Sequence, residues 1–321
     1  MSQHSKNNEI HLVRFYDASL SAVWNAWTDP VQAAEWWGPR GFTITNHHKD
    51  LRVGGQWHYT MHGPAIEGKE GVDYPNIATY LEVEKEAKLV YDHGATETQP
   101  ALFRVTVLFS QVGQKTKMDM TMSLPNKEAA DHTRQIIKNA NGNSTWDRLG
   151  EYLEKEKSGK QVFMISRSFD APIDIMFDTW SNPKKIAEWL SPTGTTMEYF
   201  EADIRSGGKS SYKMGNDHFT MYGSAAYIKV ERPHLLVYTQ QFNDKDGKIS
   251  RHPMVPTWPE TMLTHVVFTS INESTTLVSV TWEATAQYTP EELDVFISMR
   301  SNMTMGWTGS FDKLEAYLHG C

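Results

Sequence analysis

Apolar and polar residues alternate through the middle of each half of the chain, a pattern typical of strands with one buried face. In the segment 56–62, Trp57, Tyr59 and Met61 share one face, while polar side chains occupy the other. The same reasoning predicts further strands at the start of each half and after this segment and its counterpart. They are His11–Tyr16, Ile77–Val83, Lys88–Asp92, Phe103–Ser110 and Lys117–Ser123, then Val162–Phe169, Ala225–Val230, Leu235–Gln240, Thr264–Ser270 and Thr276–Trp282.

Helical patterns follow the first strand of each half and close each half. In the first half a short helix stops at Asp29-Pro30, because proline and the residue before it leave the helical conformation. The long helix that closes the second half has Thr289 as its cap, and Glu292 completes a capping box. The corresponding helix of the first half, Lys127–Lys155, is weakened in the middle by asparagine and glycine.

The two halves of the chain repeat one another. Arg14-Phe15-Tyr16-Asp17-Ala18 returns 153 positions later as Arg167-Ser168-Phe169-Asp170-Ala171. A repeat of this length indicates one domain used twice rather than a solenoid. We therefore predict a first domain at residues 10–155 and a second at 162–319, joined by a short charged linker.

The bulk composition restricts the class of protein. The chain has 321 residues, a formal net charge of −8 and a single cysteine, Cys321. The cysteine count excludes a disulfide framework within the chain, and the negative charge argues against binding to nucleic-acid phosphates. No signal peptide and no apolar run long enough for a membrane span is visible, so we expect a cytoplasmic protein.

No motif in the chain favours a metal, a cofactor or a catalytic nucleophile. The Gly54-Gly55 and Gly207-Gly208 pairs lack the context of a phosphate loop and are better interpreted as turns. The histidines at 47, 48, 58 and 62 have no supporting carboxylate motif, and the serines at 210 and 211 have no nucleophile elbow. We expect no cofactor, no metal and no assigned catalytic residue.

Ordered motifs in the first half carry a resemblance to a known family. They are Trp27-Thr28-Asp29-Pro30, Trp36-Trp37-Gly38-Pro39-Arg40-Gly41-Phe42, Asp50-Leu51-Arg52-Val53-Gly54-Gly55 and Trp57-x-Tyr59-x-Met61. The chain resembles the C-terminal domain type of the activator of heat-shock protein 90 ATPase, within the START-like (SRPBCC) superfamily. The resemblance implies an α+β class with two tandem helix-grip domains, each a curved antiparallel sheet wrapped around a long C-terminal helix. The second copy departs from the motifs, since Trp37 becomes Leu190 and Trp57 becomes Ser210.

In a helix-grip fold, the concave sheet and the long helix often leave a cavity between them. The sequence leaves open whether the aromatic and methionine positions form only core or also line such a cavity. The candidate lining residues are Trp27, Trp36, Trp57, Tyr59, Met61, Tyr80, Tyr91, Trp180, Trp189, Ser210, Tyr212, Met214, Tyr227, Tyr238, Met303 and Trp307. Buried tyrosine hydroxyls need partners, which a ligand or water supplies.

Three functions follow as hypotheses. The leading one is non-catalytic binding of a small hydrophobic or aromatic molecule in one or both cavities. The family resemblance implies a second, a co-chaperone that regulates heat-shock protein 90. The third is a cyclase- or hydrolase-like enzyme, which needs an acid–base group in the cavity, such as His93 or His218.

Two further hypotheses concern differences between the halves. The insertion at Gln241–Thr261 is a candidate lid at the mouth of the second cavity, with a surface excursion as the alternative. The other hypothesis is that the two domains place a bulky side chain on opposite walls of the cavity. Trp57 corresponds to Ser210 on the sheet, and Gly142 corresponds to Trp307 on the long helix. At this pair of positions each domain would then carry one indole and one very small residue, on opposite walls.

Overall fold

The computed structural model describes residues 7–65, 70–139, 143–285 and 287–320. The chain divides into two compact units, Met1–Gly159 and Lys160–Cys321. Each unit has its own hydrophobic core and its own antiparallel sheet. None of the helices in the described ranges is both long enough and apolar enough to cross a membrane.

The first unit contains seven strands and four helices in the part of the chain that is described. In chain order they are β1 (Glu9–Tyr16), α1 (Leu20–Thr28), α2 (Pro30–Trp36), β2 (Thr43–Lys49), β3 (Gln56–His62), β4 (Asp73–Glu84), β5 (Lys88–Ala95), β6 (Phe103–Val112), β7 (Lys115–Ser123), α3 (Lys127–Asn139) and α4 (Ser144–Ser158). The sheet order is β1-β7-β6-β5-β4-β3-β2, so β1 and β2 form its edges.

The second unit repeats this order and adds one short strand. Its elements are β8 (Val162–Phe169), α5 (Ile173–Ser181), α6 (Pro183–Trp189), β9 (Thr196–Ala202), β10 (Lys209–Asn216), β11 (Phe219–Glu231), β12 (Leu235–Asn243), β13 (Ile249–Ser250), β14 (Thr261–Asn272), β15 (Thr275–Ala284), α7 (Pro290–Ser298) and α8 (Arg300–His319). The sheet order is β8-β15-β14-β12-β11-β10-β9, and β13 pairs with β12.

The resulting architecture is two tandem domains of the α+β helix-grip fold, as the sequence predicts. In each domain one face of the sheet packs against the helices, because alternate strand residues such as Met118 and Met120 turn inward and are buried. The closing helix is not continuous in either domain, which corrects the sequence-based expectation. It consists of α3 and α4 in the first domain, and of α7 and α8 in the second.

Local signals in the sequence explain where α2 and α7 begin and where the first closing helix is interrupted. The Asp29 side chain caps α2 by accepting hydrogen bonds from the backbone N–H groups of Val31 and Gln32. Thr289 and Glu292 form the expected capping box at the start of α7. The interruption between α3 and α4 falls at the asparagine- and glycine-rich segment, of which residues 140–142 lie outside the described ranges.

The Gly54 and Gly207 positions are turns, as the sequence indicates. Both residues have positive φ angles, +78° and +81°, which side chains with a Cβ rarely adopt. At the following residues, Gly55 and Gly208, a Cβ would lie within 2.2 Å and 2.1 Å of a backbone carbonyl oxygen. Only glycine fits the close approach of the chain there, so these pairs are structural.

The same contacts recur in both domains and show that the repeat is three-dimensional. Thr116 and Thr276 each donate a 2.8 Å hydrogen bond to an alanine carbonyl, Ala18 and Ala171 respectively. The closing helix is fixed in the same register, because Arg148 in α4 and Lys313 in α8 both donate to carbonyls that follow the second short helix. These bonds satisfy backbone carbonyl groups of the loops next to the short helices.

One buried ion pair distinguishes the first domain. Arg40 donates to both carboxylate oxygens of Glu151 at 2.9 Å and 2.6 Å, and both side chains are less than 10% exposed. Such a bidentate pair is directional and ties the loop after α2 to α4. By the shared register, the corresponding residues of the second domain are Thr193 and Ala316, which cannot form it.

Candidate functional site

The concave face of the first sheet is filled by aromatic side chains. Trp57, Tyr59, Tyr80 and Tyr91 are all less than 5% exposed and belong to one core, and Met61 packs against it. The Trp57 and Tyr59 rings lie 4.4 Å apart. The residues predicted to line a cavity here are brought together, but in close contact with one another.

Trp37 is the residue that completes this filling, and the sequence analysis did not include it among the lining positions. Its ring lies 4.8 Å from that of Trp57, and its indole N–H donates a 3.2 Å hydrogen bond to the Tyr59 hydroxyl. The signal that could have identified it is the double change to Leu190 and Ser210 in the second half. Both indoles that cover Tyr59 are missing there.

The equivalent tyrosine of the second domain, Tyr212, has a different environment. Tyr212 pairs across the sheet with Gly223, where a Cβ would lie 2.6 Å from the tyrosine ring and hydroxyl. The glycine therefore lets the ring lie across the neighbouring strand. Ser210, on the same face, is hydrogen bonded to the Tyr227 hydroxyl at 3.3 Å. Within the described ranges, the Tyr212 hydroxyl makes no hydrogen bond to the protein.

A small pocket lies beside Tyr212. Its volume is about 30 Å³, enough for one or two water molecules. It is lined by Tyr212, Gln240, Gln241, Phe242, Trp258, Pro259, Glu260 and Met262. Of the predicted lining residues only Tyr212 is among them. Five others belong to the insertion Gln241–Thr261 that was considered as a lid, and the sequence analysis named neither Gln240 nor Met262 as a lining residue.

The remaining predicted residues of the second domain lie elsewhere on the concave face or in the core. Trp180, Trp189, Met303 and Trp307 belong to one hydrophobic cluster under the helices. Tyr227 and Tyr238 lie 5.5 Å apart on neighbouring strands. Met214 is partly buried on the strand that carries Ser210 and Tyr212. The corresponding Trp27 and Trp36 of the first domain are likewise buried in its core.

The insertion at Gln241–Thr261 forms one wall of the pocket. It supplies Phe242 and Trp258 to the lining, and Trp258 also packs on Phe296 of α7 at 5.7 Å. Arg251 ties the insertion to the same helix through a 2.6 Å ion pair with Glu292. The segment is therefore packed into the domain, and it borders the pocket as the lid hypothesis requires.

The proposed exchange of bulk between the walls is not what the described residues show. Gly142 lies outside the described ranges. The first domain nevertheless has an indole on its closing helix, because Trp146 stacks on Trp27 at 5.4 Å, just as Trp307 stacks on Trp180 at 6.1 Å. The first domain therefore carries an indole on both walls, Trp57 on the sheet and Trp146 on the closing helix, and the expected compensation of bulk is absent.

Burial sets the protonation state of the polar groups near the site. Desolvation raises the pKa of Tyr212 to about 12, and it raises the pKa of Tyr238 well above its ordinary value. A buried phenolate has no compensating cation here, so the neutral form is favoured. Both hydroxyls therefore remain neutral hydrogen-bonding groups at physiological pH.

The two histidines considered as catalytic groups differ in position. His218 is exposed in the turn between β10 and β11. His93 lies in the first domain between aromatic rings, 5.0 Å from Phe103 and 6.4 Å from Tyr59, and burial lowers its pKa to about 4. An imidazole with that pKa is neutral but a weak base near neutral pH. Its second-domain counterpart by register is Gln240, which lines the pocket.

The described residues contain no group of three or more histidine, cysteine, aspartate or glutamate side chains arranged to hold a metal ion. His47, His58 and His62 instead bond to neighbouring side chains, as in the 2.8 Å contact of His47 with Thr60. Cys321, the single cysteine, lies outside the described ranges.

The chain is similar to several solved structures at low sequence identity. A Nitrosomonas europaea structure is 22% identical and covers 48% of this chain and 99% of its own, with a TM-score of 0.43. A Mycobacterium smegmatis structure is 19% identical and covers 50% and 91%, with a TM-score of 0.42. The di-domain ARO/CYC protein BexL is 12% identical and covers 96% and 98%, with a TM-score of 0.37. A search of curated proteins gave no significant match.

The family comparison covers both domains. The profile of the family described as "Activator of Hsp90 ATPase homolog 1-like protein" matches residues 17–154 and again residues 170–319. These segments contain the short helices, all or most of the closing helix, and every strand of each sheet except the first, β1 or β8. The chain therefore belongs to the Activator of Hsp90 ATPase homolog 1-like family, of which it carries two tandem domains.

Proposed function

We propose that the second domain binds a small hydrophobic or aromatic molecule on its concave face, and that it does so without catalysing a reaction. The observation that carries this proposal is the loss of two indoles above one tyrosine. Trp37 and Trp57 cover Tyr59 in the first domain, whereas Leu190 and Ser210 take their places in the second domain, where Tyr212 lines a pocket.

The chemistry of the pocket suits such a ligand. Its wall is largely aromatic and apolar, and a few polar groups are available to orient a bound molecule, as in many small-molecule sites. The space of about 30 Å³ is small, so a ligand must displace the Gln241–Thr261 insertion as it enters. Neutral tyrosine hydroxyls would then supply hydrogen bonds without a charge penalty.

A fluorescence titration tests the proposal. The neutral fluorophore N-phenyl-1-naphthylamine is expected to bind saturably, with about one site per chain, because among the described residues the pocket beside Tyr212 is open whereas Tyr59 is covered. Ser210→Trp restores an indole beside Tyr212 and is expected to abolish the signal. Thr220→Trp, at an exposed position of β11, is the matched control and should bind as the unaltered protein does.

The possible results of this titration lead to different conclusions. Absence of saturable binding to the unaltered protein would refute the proposal, as would full binding by a folded Ser210→Trp variant. Circular dichroism and thermal unfolding of each variant establish that it is folded. A stoichiometry of two would mean that the first domain also binds, contrary to its packed concave face.

Regulation of a heat-shock protein 90 ATPase is the second candidate function, and family membership favours it. The family description names that activity, and both domains match it. The measurement is the ATPase rate of the cognate chaperone with increasing amounts of this protein. No change at saturating protein would remove this candidate.

A further inference from the structure

The pocket of the second domain has one charged side chain in its wall, and that charge is negative. Among the eight lining residues, Glu260 is the only ionisable carboxylate, and none is lysine, arginine or histidine. Glu260 lies exposed at the mouth and forms no ion pair with any residue in the described ranges. Its negative charge is therefore available to a ligand.

Aromatic rings and oxygen acceptors surround the same space. Tyr212, Phe242 and Trp258 line it, and the face of an aromatic ring attracts a cation through the ring quadrupole. The amide nitrogen of Gln241 donates to Thr261 at 2.7 Å, which leaves its amide oxygen as an acceptor. The Gln240 amide and the Tyr212 hydroxyl make no hydrogen bond to the described protein.

We propose that this pocket receives the ammonium group of an organic amine whose apolar body extends over the concave face. The inference rests on the proposed function and specifies its ligand class. An ammonium group offers three hydrogen-bond donors and no acceptor, which complements a wall rich in oxygen acceptors. A cavity of about 30 Å³ matches a group near the size of one water molecule. A carboxylate ligand would instead be repelled by the negative charge of Glu260.

A pair of ligands that differ in charge but little in shape tests this inference. 2-Phenylethylamine is an alkylamine and is protonated at neutral pH, whereas 2-phenylethanol is uncharged. Each competes with bound N-phenyl-1-naphthylamine in the intact protein. The amine is expected to bind about threefold to tenfold more tightly than the alcohol, and added salt should reduce the difference.

Two charge-neutralising variants locate the effect. Glu260→Gln is expected to weaken amine binding by about threefold and to leave alcohol binding unchanged. Glu273→Gln removes an equal charge from an exposed position in the turn between β14 and β15, away from the lining residues, and should change neither. Phe242→Leu keeps an apolar side chain but removes a ring, so it should weaken amine binding more than alcohol binding.

The inference is overturned if the alcohol binds as tightly as the amine, or if neither displaces a fluorophore that does bind. It is also overturned if Glu260→Gln leaves the ratio of amine affinity to alcohol affinity unchanged. If the fluorophore itself does not bind, the proposed function fails first. The two failures are therefore distinguished by the fluorophore titration alone.

Discussion

At the residue scale, the two domains differ most clearly where an indole is replaced by a hydroxymethyl group. Trp57 is 3% exposed and donates a 2.6 Å hydrogen bond to Asn46, so it is fixed by both packing and polar contact. Ser210 occupies the same position of the second sheet and bonds to Tyr227. Close packing makes the larger side chain costly to remove.

Trp57→Ser is therefore expected to destabilise the first domain by about 3–5 kcal/mol, the range for truncating a large buried aromatic residue. The variant should also gain space beside Tyr59 and bind additional N-phenyl-1-naphthylamine. Urea unfolding and the fluorescence titration measure the two effects. Ser210→Ala, which removes only a hydroxyl, is the control. A loss below about 1 kcal/mol for Trp57→Ser would show that the site is not tightly packed.

The Arg40–Glu151 pair gives a second prediction at this scale. Glu151→Ala is expected to cost about 3–5 kcal/mol, because it leaves a buried guanidinium without its bidentate partner. An arginine side chain stays protonated at neutral pH even without a partner, so the guanidinium cannot escape the cost by losing its proton. Urea unfolding measures the change. Glu156→Ala, at an exposed position of the same helix, should remain within about 0.5 kcal/mol of the unaltered protein.

At the scale of elements, the Gln241–Thr261 insertion is held in place by three kinds of contact. Trp258 packs on Phe296, Arg251 pairs with Glu292, and His252 organises the turn between them. The His252 Nδ1 atom accepts hydrogen bonds from the backbone N–H groups of Met254 and Val255, both at 3.1 Å. This role requires an unprotonated Nδ1 atom, so the turn depends on pH.

Acid is expected to loosen the insertion. Burial lowers the pKa of His252 in the folded protein, so the unfolded turn binds protons more readily than the folded one. The stabilisation is complete above the ordinary histidine pKa of about 6.5 and falls as pH decreases below it. The charged side chains of the surrounding segments are Arg251, Glu292 and the exposed Glu260.

Hydrogen exchange of the segment 251–258, compared at neutral pH and near pH 5 with correction for intrinsic rates, measures this loosening. His252→Asn keeps an acceptor for the same backbone N–H groups but cannot be protonated, so it should remove the pH dependence. His252→Ala should exchange rapidly at both pH values. Equal acid sensitivity in the unaltered protein and in His252→Asn would exclude His252 as the cause.

At the scale of the whole molecule, each compact unit contains a complete sheet, a complete set of helices and its own core. We predict that residues 1–159 and residues 160–321, expressed separately, each fold cooperatively, because each is long enough to bury a substantial core. Only the second fragment should bind N-phenyl-1-naphthylamine. Thermal unfolding by circular dichroism and the titration test this. A fragment without a cooperative transition would contradict the predicted independence of the domains.

The central strands of each sheet were predictable from the sequence, but the edge strand opposite β1 or β8 was not. β3 was predicted from the alternation of Trp57, Tyr59 and Met61, and β5 to β7 from similar patterns. β2 and β9 were missed because each of these edge strands carries mostly exposed or half-buried residues, so neither shows a sustained apolar face. An edge strand has one neighbour and is only partly covered, so its composition carries a weak signal.

The sequence by itself determined the duplication, the helix-grip class and the family, since all three depend on local motifs that occur twice in the same order. It also determined most buried positions, because alternation along a strand fixes which side chains turn inward. Only the tertiary structure decided which inward positions are filled and which border open space. The surroundings of Tyr212 depend on residues far from it in the sequence. Leu190 and Ser210 stand where Trp37 and Trp57 cover Tyr59, and Trp258 of the insertion lines the pocket beside Tyr212. The space left between side chains is determined by residues that are far apart in the chain, so no local sequence pattern predicts it.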